Sequence, residues 1–158
     1  MSDSRPIRRA HQAALRYLTY RPHSEAEIRT RLLKRFPPTT VEQVLDNFLR
    51  QNLVDDAKFA IQWVRSRDAH HPRSSWAIKR ELLNKGIDSN VAKKAMEGVN
   101  DEETAYRLGM QQAQRMARVD LQTFRRRLLS YLKRRGFADS LSRKTISRLS
   151  DEIRDESD

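Results

Sequence analysis

Between residues 121 and 150 stand nine lysines and arginines, at 125, 126, 127, 133, 134, 135, 143, 144 and 148. They face a single acid, Asp139, which leaves a net charge of +8 over thirty residues. Arginine's planar fork donates two aligned hydrogen bonds to a phosphate or a carboxylate, so a cluster of this kind fits an anionic partner. It carries no information about base sequence. The aromatic residues within the cluster's helix are Phe124 and Tyr131, and Phe124 falls on the apolar side. Stacking of single-stranded bases is therefore not the expected mode of binding.

Residues suited to catalysis do not assemble in the same way. His70 and His71 are adjacent, so they point apart on a helix or sit in a loop, and His11 and His23 are isolated. No H-x-x-x-H pair, P-loop or G-x-S-x-G is present. Asp55 and Asp56 resemble paired carboxylates, but their position before an apolar helical run reads as an N-cap and its dipole partner. No nucleophile, base and oxyanion donor come together, so the expectation is a chain without catalytic residues or a metal site.

The elements that would carry these residues are helices. The chain has 158 residues, of which only four are Gly and five Pro, and good helix formers dominate. Ala10, Ala14, Tyr17 and Leu18 share one helical face from about Ile7 to Tyr20. Ser24 and Glu27 form a capping box that opens a second helix carrying Ile28 and Leu32. Phe36-Pro37-Pro38 ends it. Thr40 with Gln43 reads as another capping box, ahead of Val41, Val44, Leu45, Phe48 and Leu49 at helical spacing. The cycle then restarts. Asp55 or Asp56 caps a helix with Phe59, Ala60, Trp63 and Val64 inward. Ser74 caps one with Ile78 and Leu82, closed by Gly86. A short helix surrounds Val91 and Ala95. The third cycle runs from near Asp101 to Met116, from Asp120 to Arg135 with Gly136 as C-cap, and from about Leu141.

Ile28, Ile78 and Leu128 recur at intervals of fifty, as do Leu32, Leu82 and Leu132. The reading is all-α: three tandem three-helix repeats at 10–52, 53–100 and 101–150, between a flexible N-terminus (1–9) and an acidic tail (151–158). A unit this small cannot bury its apolar face alone, so stacked neighbours should share a core in an elongated array without a central pocket.

Within the third repeat, Leu121, Phe124, Leu128 and Leu132 form one side of the second helix. Arg126, Arg127, Lys133 and Arg134 form the other, with Arg125 and Arg135 nearby. At the matching positions the second repeat has Trp76 and Leu83, and the first has Ala26 and Leu33. Two compatible readings follow for the basic face: a charged cap on a terminal repeat, or a surface for nucleic acid or an acidic protein groove. Trp76 and Leu83 have two readings of their own, packing within the array or contact with a partner.

The whole chain has a net charge of +11 and no cysteine. The first points to solubility or a polyanionic partner; the second excludes disulfides and suits a reducing compartment. No run approaches the ~18 apolar residues of a membrane span, and the opening MSDSRPIRRA has no apolar signal segment. The expected location is the cytoplasm, and the expected state a monomer.

The stretches ALRYLTYRPHSEAEIRTRLLKR (14–35), LVDDAKFAIQWVRSR (53–67), IKRELLNKGI (78–87) and LLSYLKRRGF (128–137) resemble the RecX family, bacterial regulators of the RecA recombinase. The resemblance spans residues 10 to about 149. It departs at HHPRSS (70–75), where the family often has a basic-glycine turn, and at Phe36-Pro37-Pro38, where the other two repeats have glycine. It implies a curved array that binds the groove of the RecA–DNA filament. It also implies inhibition of ATP hydrolysis and strand exchange in recombination and DNA repair, with no cofactor. The alternative from the residues alone is a stand-alone helical nucleic-acid-binding protein without a recombinase partner.

Overall fold

A computed structural model describes residues 4–156 of the chain. Among these residues nine helices follow one another. The first triad is α1 (Arg5–Tyr20), α2 (Glu25–Leu33) and α3 (Pro38–Arg50). The second is α4 (Asp56–His70), α5 (Ser75–Asn84) and α6 (Ser89–Ala95). The third is α7 (Asp101–Arg115), α8 (Leu121–Arg134) and α9 (Asp139–Asp155). The chain is all-α and built of three-helix units in tandem.

Local signals set most of the boundaries. At α2 the Ser24 hydroxyl accepts from the Glu27 amide, and the Glu27 carboxylate accepts from the Ser24 amide, so the expected capping box is complete. Asp55 accepts from the Lys58 amide at 3.1 Å and opens α4. Asp120 does the same for Thr123 and opens α8. Both α5 and α8 end in a Schellman motif: Ile87 N–H reaches the Leu82 carbonyl and Phe137 N–H reaches the Leu132 carbonyl, with Gly86 and Gly136 at positive φ.

Three boundaries differ from the expectation. Helix α3 starts at Pro38, with Pro37 as N-cap, and no side chain caps it. Proline fits the first helical position because its missing N–H has no helical partner there. Thr40, expected as the cap, is instead buried inside α3. Helix α1 already includes Arg5–Arg9, part of the segment expected to be flexible, because Pro6 pre-sets its first turn; residues 1–3 of that segment lie outside the described residues. Likewise 151–155 of the expected acidic tail continue α9, where Glu152 pairs with Arg148 one turn back and accepts from the Tyr106 hydroxyl. Residues 157–158 lie outside the description.

The chain divides into two compact units where the sequence led us to expect one shared core. The first comprises the chain through Val64 together with Glu81–Ala95; the second comprises Arg65–Arg80 and the chain from Met96 onward. Helices α4 and α5 are thus each divided between the two units. In the first unit Ile28, Leu32, Val41, Val44, Leu45 and Phe48 form an apolar cluster with the alanines of α1. In the second, Leu108, Phe124, Leu128, Leu132, Ile146 and Leu149 form another.

Each unit contains the same joint between successive triads. In the first unit the Ser24 hydroxyl donates to the Lys85 carbonyl at 2.6 Å, and the Asp56 carboxylate accepts from the Glu25 amide at 2.9 Å. In the second unit the Ser74 amide donates to the Arg135 carbonyl at 3.0 Å. The Asp101 carboxylate there accepts from the Ser75 amide and hydroxyl at 2.8 and 2.7 Å. The glycine closing one triad's second helix sits against the start of the preceding triad's second helix. A Cβ on Gly86 would collide with the Ala26 methyl, and one on Gly136 would lie 2.6 Å from Ser74 Oγ and 2.8 Å from Ala77 Cβ. Glycine is thus required twice at each joint, for positive φ and for close approach. The fifty-residue interval is the repeat of this joint: Ser24 and Ser74, Lys85 and Arg135, Gly86 and Gly136.

Candidate partner-binding surface

The third triad presents its basic residues on a firmly held helix. Phe124, Leu128 and Leu132 recur every fourth residue along α8 and are buried. That anchors one face of the helix and turns the opposite one outward. Arg125, Arg126, Arg127, Lys133 and Arg134 are all exposed. Arg126 and Lys133 are seven residues apart, as are Arg127 and Arg134, so the four line one broad face about 12 Å long. Among the described residues Arg125, Arg126, Arg127 and Arg134 form no ion pair.

The other two basic candidates are partly engaged. Lys133 lies 3.4 Å from Asp139, which also accepts from Arg143 at 2.7 Å. The Arg143 hydrogen bond holds the Asp139 carboxyl below its usual range against the opposing effect of burial, and Lys133 adds to it. Arg135 is half-buried. Its guanidinium donates to the Pro72 carbonyl at 3.1 Å and lies 5.1 Å from the Tyr131 ring. It belongs to the joint of the second unit more than to the open face.

Trp76 and Leu83 do not pack inside. Trp76 is 63% exposed and Leu83 42% exposed. They stand seven residues apart on α5 and so share one face of it, and the Arg80 guanidinium sits 5.2 Å from the Trp76 ring. Packing within the array, the first of the two readings, is replaced by an apolar pair open to solvent. The matching Leu33 of α2 is exposed as well, whereas Ala26 is half-covered beneath Gly86.

No catalytic or metal-binding arrangement emerges from the described residues. No group of three His, Cys, Asp or Glu side chains could hold a metal ion, and His70 and His71 are exposed. His23 is buried. Its Nδ1 hydrogen-bonds the Arg21 carbonyl at 2.8 Å, and its desolvation lowers its pKa. Asp55 and Asp56 are caps, as their position suggested, but of different helices: Asp55 serves α4 and Asp56 serves α2. Burial raises the Asp56 pKa against the opposing Glu25 hydrogen bond. The second unit has a cleft of about 690 Å³ beside the start of α8, lined largely by apolar side chains such as Met110, Met116, Val119 and Phe124. No described helix is long and apolar enough to cross a membrane.

Comparison with known proteins decides the family. The model of "RecX, first three-helix domain" matches residues 10–48, and that of "RecX, second three-helix domain" matches residues 55–96. These two matches fall on the first two triads and take up more than half of the chain. The chain belongs to the RecX family. Regulatory protein RecX of Mycobacterium avium (strain 104) is 37% identical over 149 residues, covering 89% of this chain and 86% of its own. Its counterpart in Prosthecochloris aestuarii (strain DSM 271 / SK 413) is 31% identical over 150 residues, covering 94% of this chain and 98% of its own, so the likeness extends through the third triad. In fold, the chain matches the crystal structure of RecX from Lactobacillus salivarius with a TM-score of 0.80. That match has 22% identity and covers 94% of this chain and 99% of the other. Membership of the RecX family gives the chain the broad regulatory role of that family.

Proposed function

We propose that this RecX-family chain binds the filament that a RecA recombinase forms on DNA, and that binding inhibits ATP hydrolysis and strand exchange. The observation that carries the reading is the outward face of α8, where Arg126, Arg127 and Arg134 are exposed and form no ion pair among the described residues. A helix whose opposite face is locked into an apolar core presents these cations at fixed spacing. Fixed placement suits the repeating phosphates and carboxylates of a nucleoprotein filament. Trp76 and Leu83 supply an apolar contact on another triad, and exposed aromatic residues often anchor interfaces. Several weak contacts on one chain reinforce one another through effective concentration.

The test is the variant Arg126→Ala/Arg127→Ala/Lys133→Ala/Arg134→Ala, titrated against bare DNA and against RecA filament at several salt concentrations. Filament binding and inhibition of the filament's ATPase should both weaken. If all four residues reach duplex phosphates, the salt dependence should become shallower by up to about 3 to 4 log units per decade of salt. A loss confined to the filament would place the contact on an acidic protein groove. Unaltered binding in both titrations, with the fold intact, would reduce the face to a solubility feature.

A further inference from the structure

Helix α1 carries its charge differently from its counterparts. The first helices of the other two triads open with acid: Asp56 in α4, and Asp101, Glu102 and Glu103 in α7. These carboxylates sit at the positive end of the helix dipole, where negative charge is favourable. The first turn of α1 has none, and no Asp or Glu occurs anywhere from Ser4 to Ser24. Arg5, Arg8 and Arg9 stand there instead, at the end where positive charge costs stability. Loss of a capping acid alone would leave a neutral residue; it does not account for three arginines.

The placement of these arginines is equally one-sided. Ala10, Ala13 and Ala14 are buried in the first unit's apolar cluster. Arg8, Arg9 and Arg16 are exposed on the far side. Arg9 and Arg16, seven residues apart, share a strip about 10 Å long with Gln12, and Arg8 flanks it. None of these three arginines forms an ion pair among the described residues. Arg21, by contrast, is taken up by Glu27 at 2.6 Å and belongs to the joint. An ordinary solvated face interleaves both signs of charge, and this one has a single sign. A strip of two unpaired arginines with a third at its flank fits the sugar–phosphate backbone of DNA, where charge repeats along a line and each guanidinium can grip a phosphate.

We propose that the outward face of α1, through Arg8, Arg9 and Arg16, is a second phosphate-binding surface for DNA. It lies in the compact unit that does not contain α8. It does not rest on the α8 reading, and either surface can fail alone. The α1 face contributes its own salt dependence to DNA binding.

The experiment uses the full chain with Arg8→Gln/Arg9→Gln/Arg16→Gln. A control of equal charge, Lys34→Gln/Arg50→Gln/Lys58→Gln, removes three exposed cations from elsewhere in the first unit. Each is titrated at several salt concentrations against a fluorescein-labelled duplex and a labelled single strand. The two probes distinguish which form supplies the phosphates, and thermal melts confirm that both variants fold. The α1 variant should bind at least one probe more weakly, with a log–log salt slope shallower by about 2 to 3, whereas the control should shift it by less than about 1. An α1 variant no weaker than its charge-matched control on both probes, with its melt unchanged, would overturn the proposal.

Discussion

Replacing Glu27 by glutamine should loosen the joint of the first unit and remove part of its response to acid. Glu27 completes the α2 capping box and also receives Arg21 Nη2 at 2.6 Å and Lys85 Nζ at 3.4 Å. Its side chain is only 14% exposed. Burial alone would raise its carboxyl. The Arg21 hydrogen bond, the Ser24 amide and the Lys85 charge outweigh that and hold its pKa at about 2, against an ordinary 4.5. A carboxyl whose folded pKa is depressed stabilises the fold above its unfolded pKa, and the contribution is lost as pH falls toward the folded one. The window is therefore from about pH 4.5 down to about 2. At about 1.4 kcal/mol for each pH unit, the ceiling is about 3 kcal/mol. Arg21 is 41% exposed, so water screens part of this, and about 2 kcal/mol is the expected loss for Glu27→Gln at neutral pH. Urea unfolding, read by Trp63 fluorescence in a Trp76→Phe background, reports on this unit because Lys85 Nζ sits 5.3 Å from the Trp63 ring. The gap between the two proteins should close as pH falls through the window. A gap that stays constant with pH, or no gap at neutral pH, would refute the reasoning.

Gly136→Ala should destabilise the second unit by more than Gly98→Ala destabilises the chain. Both glycines have positive φ, but a Cβ at Gly98 meets open space while one at Gly136 meets Ser74 and Ala77. Backbone strain alone costs about 1 to 2 kcal/mol, so equal thermal shifts for the two variants would remove the close-packed joint from the account. Trp76→Ala should leave stability within about 0.5 kcal/mol, as befits a largely exposed side chain, while weakening filament binding about tenfold. A large fall in melting temperature would show that Trp76 is covered, and unchanged filament binding would remove it from the contact surface.

The helices were legible in the sequence because their causes are local. Ser24 with Glu27, Asp120 before Leu121, and Gly86 and Gly136 after their helices each satisfy backbone groups only a few residues away. The apolar stripe of Phe124, Leu128 and Leu132 follows from helical spacing alone, and with it the outward direction of Arg126 and Lys133. Where two local signals competed, the reading went astray: the hydroxyl of Thr40 outranked Pro38, although proline needs no capped N–H at that position.

Local periodicity cannot say which neighbour covers a residue, and that was left to tertiary structure. Trp76 looks like a core residue by type, and only the packing around α5 leaves it exposed. Arg135 is one basic residue among six until the Pro72 carbonyl, 63 positions away, draws it into a joint. Asp56 reads as a cap of its own helix and Asp101 only as the start of one, yet they reach back 31 and 26 positions to cap α2 and α5. The amino-acid sequence by itself determined the helices, their repeat and the sign of their charge, since backbone capping and apolar spacing act within a turn or two. The tertiary structure decided which carboxylates, glycines and arginines join triads and which remain open to a partner, because burial and long-range hydrogen bonds exist only once distant segments meet.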